Sequence, residues 1–267
     1  MKKLLLAAAL TAGLSACATT TSPTGQRQYN AVSDEQLSQM GAQAFQEYKQ
    51  KLPMSTDAAQ NRYVQCVVNS LVNQLPSNMR GGWETAVFVN KDANAFALPG
   101  GKVGVYTGIF QAARNQDQLA GVIAHEIGHV VARHHNDRIS RQIGSQQLVG
   151  ILGAIVGARY GETAGQIAQG VGSMGAQGLF LLPNSRAQET EADVVGQQLM
   201  AKAGFDPRQA VNLWQNMVSV SGNNRPAEWM STHPNPQSRI SELQSRATGL
   251  MPTYEAAQKN GLRPRCG

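Results

Sequence analysis

His125-Glu126-Ile127-Gly128-His129 sets two histidines four residues apart around a glutamate. On a helix, positions four apart stack on one face, so both imidazoles can reach a single ion at about 2.0–2.1 Å. Glu126 then lies where its carboxylate can take a proton from a water on that ion. Five residues can recur by chance, but the flanks agree with this reading. Asn115 and Gln118 have the spacing of a capping box. Leu119, Val122, Ile123, Ile127, Val130 and Val131 recur at helical spacing and predict a core-facing stripe through the motif. The plainer alternative is two surface histidines on an amphipathic helix. His134 and His135, at the end of that helix, read most simply as cations favoured by its dipole.

Two histidines leave a tetrahedral catalytic site one protein ligand short. Glu189-Thr190-Glu191-Ala192-Asp193 supplies candidates, on a helix opened by Ser185 and Gln188 and stopped at Gly204. Glu189 can reach the metal. Asp193, one turn later on the same face, can accept the second ring N–H of a ligating histidine. Glu191 falls on the other side of the helix and is expected to be exposed.

The chain has 267 residues, 42% of them hydrophobic, enough for one substantial core. It begins with Met1-Lys2-Lys3, an apolar run from Leu4 to Ala12, then Leu14-Ser15-Ala16-Cys17. That pattern reads as a secretory signal over residues 1–16. Its ending resembles a bacterial lipobox, with cleavage before Cys17 and acyl chains on it; plain secretion with a free thiol is the alternative. Ala18 in place of an aspartate looks like an outer-membrane address. Residues 17–32 read as a lipidated, flexible tether and residues 33–267 as a single domain. Removal of Lys2 and Lys3 lowers the formal charge from +6 to +4, with no long basic run, which does not argue for nucleic acid. Cys66 and Cys266 remain as an even pair in an oxidising compartment. Cys66 lies opposite the apolar face of its helix, so a disulfide to Cys266 is predicted, with two unpaired thiols as the alternative.

Elsewhere Ser33 and Gln36 open a helix that Pro53 ends, and a second runs from Thr56 or Asp57 to Leu75. Thr85–Val89, Asn94–Leu98 and Val103–Tyr106 read as strands, the last two around Pro99-Gly100-Gly101. Asn94-Ala95-Phe96-Ala97 is the candidate edge for an extended peptide, or else a structural hairpin. Residues 142–185 are rich in Gly, Ala and apolar side chains. They read as a helical excursion over a cleft, or as a surface for a membrane or client protein. Further helices start near Asp206-Pro207 and Asn235-Pro236, and the tail after Gly249 reads as polar and irregular.

Asn94-Ala95-Phe96-Ala97, the His-Glu-x-x-His helix, Glu189-x-x-x-Asp193 and Ser231-Thr232-His233-Pro234 occur in an order that resembles the HtpX/BepA/LoiP-like zinc metalloprotease family. That is a gluzincin family which also holds the CAAX prenyl endopeptidases. The resemblance spans roughly Ser33 to Leu243. It implies an α+β fold: a mainly helical zincin-type metalloprotease domain with a small three-stranded sheet. It implies one Zn2+ per chain held by His125, His129 and Glu189, with Glu126 as general base and Asp193 behind His125. Asn94, Ala95 and Phe96 would bind substrate. His233 and Arg239 are candidates to stabilise the oxyanion, although His233 could instead ligate the metal and make the enzyme latent. The chain lacks the long membrane helices of the HtpX and CAAX branches and the C-terminal helical repeats of the BepA branch; it is nearest to the compact lipoprotein branch. The expected function is a periplasm-facing outer-membrane metalloendopeptidase acting on misfolded or misassembled envelope proteins. An assembly chaperone or adaptor with a latent or structural zinc site is the alternative. A zinc aminopeptidase finds no anchor for a substrate amino terminus.

Overall fold

The computed structural model describes residues 19–144, 180, 183–221, 232–233 and 236–267. The segment read as a signal and the candidate lipidation residue Cys17 lie outside the described residues, as do most of the Gly-rich stretch and Asn235, the expected cap of the last helix.

A short antiparallel ribbon, β1 (Thr19–Thr21) and β2 (Arg27–Tyr29), precedes helices α1 (Asp34–Lys51) and α2 (Ala58–Val72). Strands β3 (Glu84–Phe88), β4 (Ala95–Leu98) and β5 (Lys102–Tyr106) follow. Then come α3 (Gln116–Val131), helical residues 134–144 (α4), α5 (Arg186–Ala203), α6 (Gln209–Ser221) and α7 (Pro236–Lys259). The three-stranded sheet has the order β3-β5-β4, with β3 and β5 parallel and β4 antiparallel to β5.

Alternation along the strands feeds two cores, because successive side chains leave a strand on opposite faces. Val87, Ala95, Ala97, Val103 and Val105 join the main core with α2, α3, α5 and α6. Ala86, Phe88, Leu98 and Tyr106 face α1, where they meet Leu37, Phe45 and Tyr48. Phe96 also points there and stacks on Tyr48 with ring centroids 4.4 Å apart. Its strand partner is Gly104, the residue that leaves room for the ring.

Ser33 and Ser185 form full capping boxes with Gln36 and Gln188. Asn115 caps α3 through Gln118 N–H, but the Gln118 side chain accepts from Arg114 N–H instead of closing the box. Two glycines let α3 and α5 approach closely. A Cβ on Gly128 would lie 2.8 Å from the Ala192 carbonyl oxygen, and one on Gly196 would lie 2.9 Å from the His125 nitrogen. That close approach brings Glu189 and Asp193 onto the histidine face of α3.

Two expectations fail. Residues 19–32 are not a flexible tether. Gln28 is buried and donates to the Ala132 carbonyl at 2.6 Å, Tyr29 N–H donates to Asp137 Oδ1 at 2.8 Å, and Ala31 N–H donates to Ser140 Oγ at 2.7 Å. Polar composition suggested solvation, but these side chains and amides find fixed partners in the domain. The tail after Gly249 is not irregular either, since α7 runs through Pro252 to Lys259. An interior proline removes a hydrogen bond and costs about 3 kcal/mol. Packing of Leu243, Ala247 and Ala257 offsets that cost, with α7 lying against α5 and α6. Beyond it, Cys266 is disulfide-bonded to Cys66, and Gln116 Nε2 donates to the Pro264 carbonyl at 2.8 Å.

Candidate active site

His125 and His129 project from α3, Glu189 from α5, and His233 from the segment before α7, all buried. One ligand atom from each lies within 4.8 Å of the others. Two ligands about 2.0–2.1 Å from a tetrahedral ion are about 3.3–3.4 Å apart. The His125 and His129 Nε2 atoms are 3.1 Å apart, and they lie 3.5 and 3.4 Å from the two Glu189 oxygens. Glu189 Oε1 is buried without a hydrogen bond, as suits an atom whose partner is a cation. These residues fit a metal ion.

Each histidine is held from behind by a different set of groups. His125 Nδ1 is 2.9 Å from Asp193 Oδ1. Asp193 in turn accepts from Arg239 Nε at 2.7 Å and Nη2 at 2.6 Å. Arg239 also donates to Glu189 and lies over the Trp214 ring, 3.8 Å from its centroid. Burial and Arg239 work against a proton on His125, yet the bonds to Asp193 and Glu189 carry it up to about 9. A site that favours a proton there also favours a metal cation. Burial opposes the charge on Asp193, but Arg239 and His125 hold it below its ordinary range.

His129 Nδ1 lies 2.8 Å from His134 Nδ1, and His134 Nε2 lies 3.1 Å from Glu191 Oε2. Burial pushes both histidines down, His129 furthest, so both are neutral. The tautomers follow from the partners. His129, offering Nε2 to the site, donates through Nδ1 to His134, which donates through Nε2 to the Glu191 carboxylate. Glu191 Oε1 then accepts Thr24 N–H at 2.9 Å and Thr24 Oγ–H at 2.7 Å.

Glu191 is therefore buried rather than exposed. Its side of α5 turns away from the metal ligands but is covered by His134 and the N-terminal ribbon. His134 and His135 are not dipole-stabilised cations. α3 ends at Val131, Arg133 turns the chain at φ 57°, and both histidines are buried at the start of α4. Arg239, 2% exposed and hydrogen-bonded to Asp193 and Glu189, sits behind His125 and Glu189 and is not among the residues that line the cleft.

The cleft runs along β4, an edge of its sheet, and is lined by Asn94, Ala95, Phe96, Glu126, His129 and His233. His233 Nε2 is 3.3 Å from Glu126 Oε1 and 3.9 Å from Glu189 Oε1. Arg138, His135 and Asn184 line the same cleft, and sequence reasoning missed all three. The polar run after the zinc-motif helix was the only signal for the first two; Asn184 was hidden beside the Ser185 cap.

Residues 58–247 match peptidase family M48. The chain belongs to that family. The mitochondrial metalloendopeptidase OMA1 of Schizosaccharomyces pombe is 37% identical over 163 residues, which is 61% of this chain and 46% of that protein. The beta-barrel assembly-enhancing protease of Yersinia pestis is 31% identical over 238 residues, 86% of this chain and 48% of that protein. Its Escherichia coli K12 namesake is 30% identical over 217 residues, 80% and 44% respectively. The chain spans about half the length of the curated M48 relatives it matches. Among the described residues no helix is long and apolar enough to cross a membrane.

Proposed function

We propose that this M48 chain is a zinc metalloendopeptidase, tied to a bacterial outer membrane through a lipid on Cys17 and facing the periplasm. Its substrates in this reading are misfolded or misassembled envelope proteins. The observation that carries the enzymatic part is the spacing of the His125, His129 and Glu189 ligand atoms, 3.1 to 3.5 Å apart beside Glu126. The envelope part rests on the lipobox-like Leu14-Ser15-Ala16-Cys17 and on similarity to relatives named for β-barrel assembly.

When bound, zinc supplies a Lewis acid for the scissile carbonyl and for water. The chain's residues do the rest. β4 offers its free edge to an extended peptide, which fixes the scissile bond across the cleft. Glu126 accepts the proton of the attacking water and returns it to the leaving amine. Asp193 and His134 hold the His125 and His129 rings in the tautomers that present Nε2.

A second reading is favoured by His233. Its Nε2 lies among the ligand atoms and against Glu126, where an attacking water would stand. There it closes the open position and makes the enzyme latent, with chaperone or adaptor activity dominant. Casein cleavage and bound zinc, measured together for wild type, Glu126→Gln and His233→Ala, separate the readings. A constitutive protease shows about one zinc per chain and loses cleavage in Glu126→Gln. A latent one is silent until His233→Ala releases it. No zinc, or identical behaviour of all three proteins, overturns the enzyme.

A further inference from the structure

Arg138 lies on α4 and is 8% exposed, yet among the described residues it makes no hydrogen bond or ion pair, and its Nε is buried without a partner. A buried guanidinium is costly unless it is paired. Burial pulls it down to about 10, so it remains charged at neutral pH. The carboxylates nearest in charge are committed elsewhere. Glu189 is held by Arg239, Glu126 lies 3.3 Å from His233 Nε2, and Asp137 accepts from Arg141, Gln188 and the Tyr29 amide.

Two neighbours in the cleft share this condition. His135 is 6% exposed with Nδ1 unpartnered, and burial keeps its ring neutral. Asn184 is 7% exposed; its Nδ2 reaches the Thr232 carbonyl, but its Oδ1 is unpartnered. Buried polar atoms are nearly always paired, so three orphans lining one cleft mark a place where a ligand supplies the partners. Together they offer a fixed cation, an imidazole that can present an N–H, and an amide oxygen. That set suits a carboxylate on an extended peptide, with a backbone N–H given to Asn184.

We propose that Arg138, flanked by His135 and Asn184, is a carboxylate-recognising subsite of the β4 cleft, occupied by an acidic side chain or a free C-terminal carboxylate of the substrate. The subsite rests on the protease reading for its location beside the scissile bond. Arg138 sets specificity here and takes no part in the bond-breaking step.

The test uses zinc-loaded protein and fluorescent peptides that differ only by Glu or Gln at one scanned position, each with a C-terminal carboxylate or amide. Binding is measured by anisotropy on the Glu126→Gln background, and cleavage on the active one. A charge-assisted contact predicts at least a ten-fold preference for the carboxylate at one position. Preference for internal Glu identifies a side-chain source; preference for the free terminus identifies the other. In Arg138→Gln the ratio falls towards one, Arg138→Lys keeps part of it, and Arg138→Glu turns it towards a Lys peptide. Zinc content and circular dichroism of each variant exclude misfolding as the cause. A ratio near one in wild type, at every position and both termini, overturns the subsite, as does a preference that survives Arg138→Gln. Failure of the protease reading looks different: the neutral peptide is bound but left uncut by active-background protein.

Discussion

His125 and His129 are neighbours on one helix face, but the groups behind them differ in kind. Behind His125 stands a charged assembly of Asp193 and Arg239, buried and shared with Glu189. Behind His129 stands a neutral histidine, then Glu191, then the Thr24 amide and hydroxyl of the N-terminal ribbon. The first set is internal to α3, α5 and α7. The second reaches a segment only a few residues beyond Cys17. Two histidines of the same kind on one helix can thus be tied to different parts of a molecule, one to the core and one to its N-terminal ribbon.

Removing Arg239 should break this contrast most severely. Arg239→Leu leaves two buried carboxylates, Asp193 and Glu189, with His125 as their shared partner in place of the guanidinium, a loss of about 3–5 kcal/mol. Urea unfolding of the metal-free protein should show it, and a midpoint equal to wild type would dismiss the charged assembly as a stabilising unit. Asp193→Asn keeps the shape but removes the charge behind His125. Zinc affinity should fall about 10–100-fold in competition with a chelator, and an unchanged affinity would mean that His125 needs no such support.

The other side should respond more weakly. Glu191→Gln keeps one side-chain oxygen, enough for His134 or for the Thr24 donors but not for both, and it leaves the His129–His134 contact in place, so zinc affinity should fall by less than about ten-fold. A loss as large as that of Asp193→Asn would make the two sides equivalent. The smallest effect is expected for Thr24→Ala, which deletes the hydroxyl bond but leaves the Thr24 amide; a change of about 1 kcal/mol or less in unfolding free energy is predicted. The ribbon's influence would be larger than argued if Thr24→Ala released zinc outright.

Much of this arrangement can be read along the chain because helical spacing is local. His125 and His129 four apart, Glu189 and Asp193 four apart, and the Ser33 and Ser185 caps are all relations within one or two turns, and each appears where the spacing put it. The alternation of Ala95, Phe96, Ala97 and Leu98 is equally local. Glu191 was misread for the complementary reason. Periodicity says which way a side chain points from its own helix but not what stands there, and here His134 and Thr24 do. The same holds for residues 19–32, whose polar side chains and amides find partners more than 100 residues away.

The sequence by itself determined the helix that carries the two histidines, the second helix with its two carboxylates, and the small sheet beside them, since these depend on periods of 3.6 and 2 and on capping chemistry. Tertiary packing alone sets Arg239 behind His125 and Glu189, ends the His129 relay on the N-terminal ribbon, and brings Arg138, His135 and Asn184 to one cleft. Those contacts join residues distant in the chain, and their energies depend on burial that no local pattern specifies.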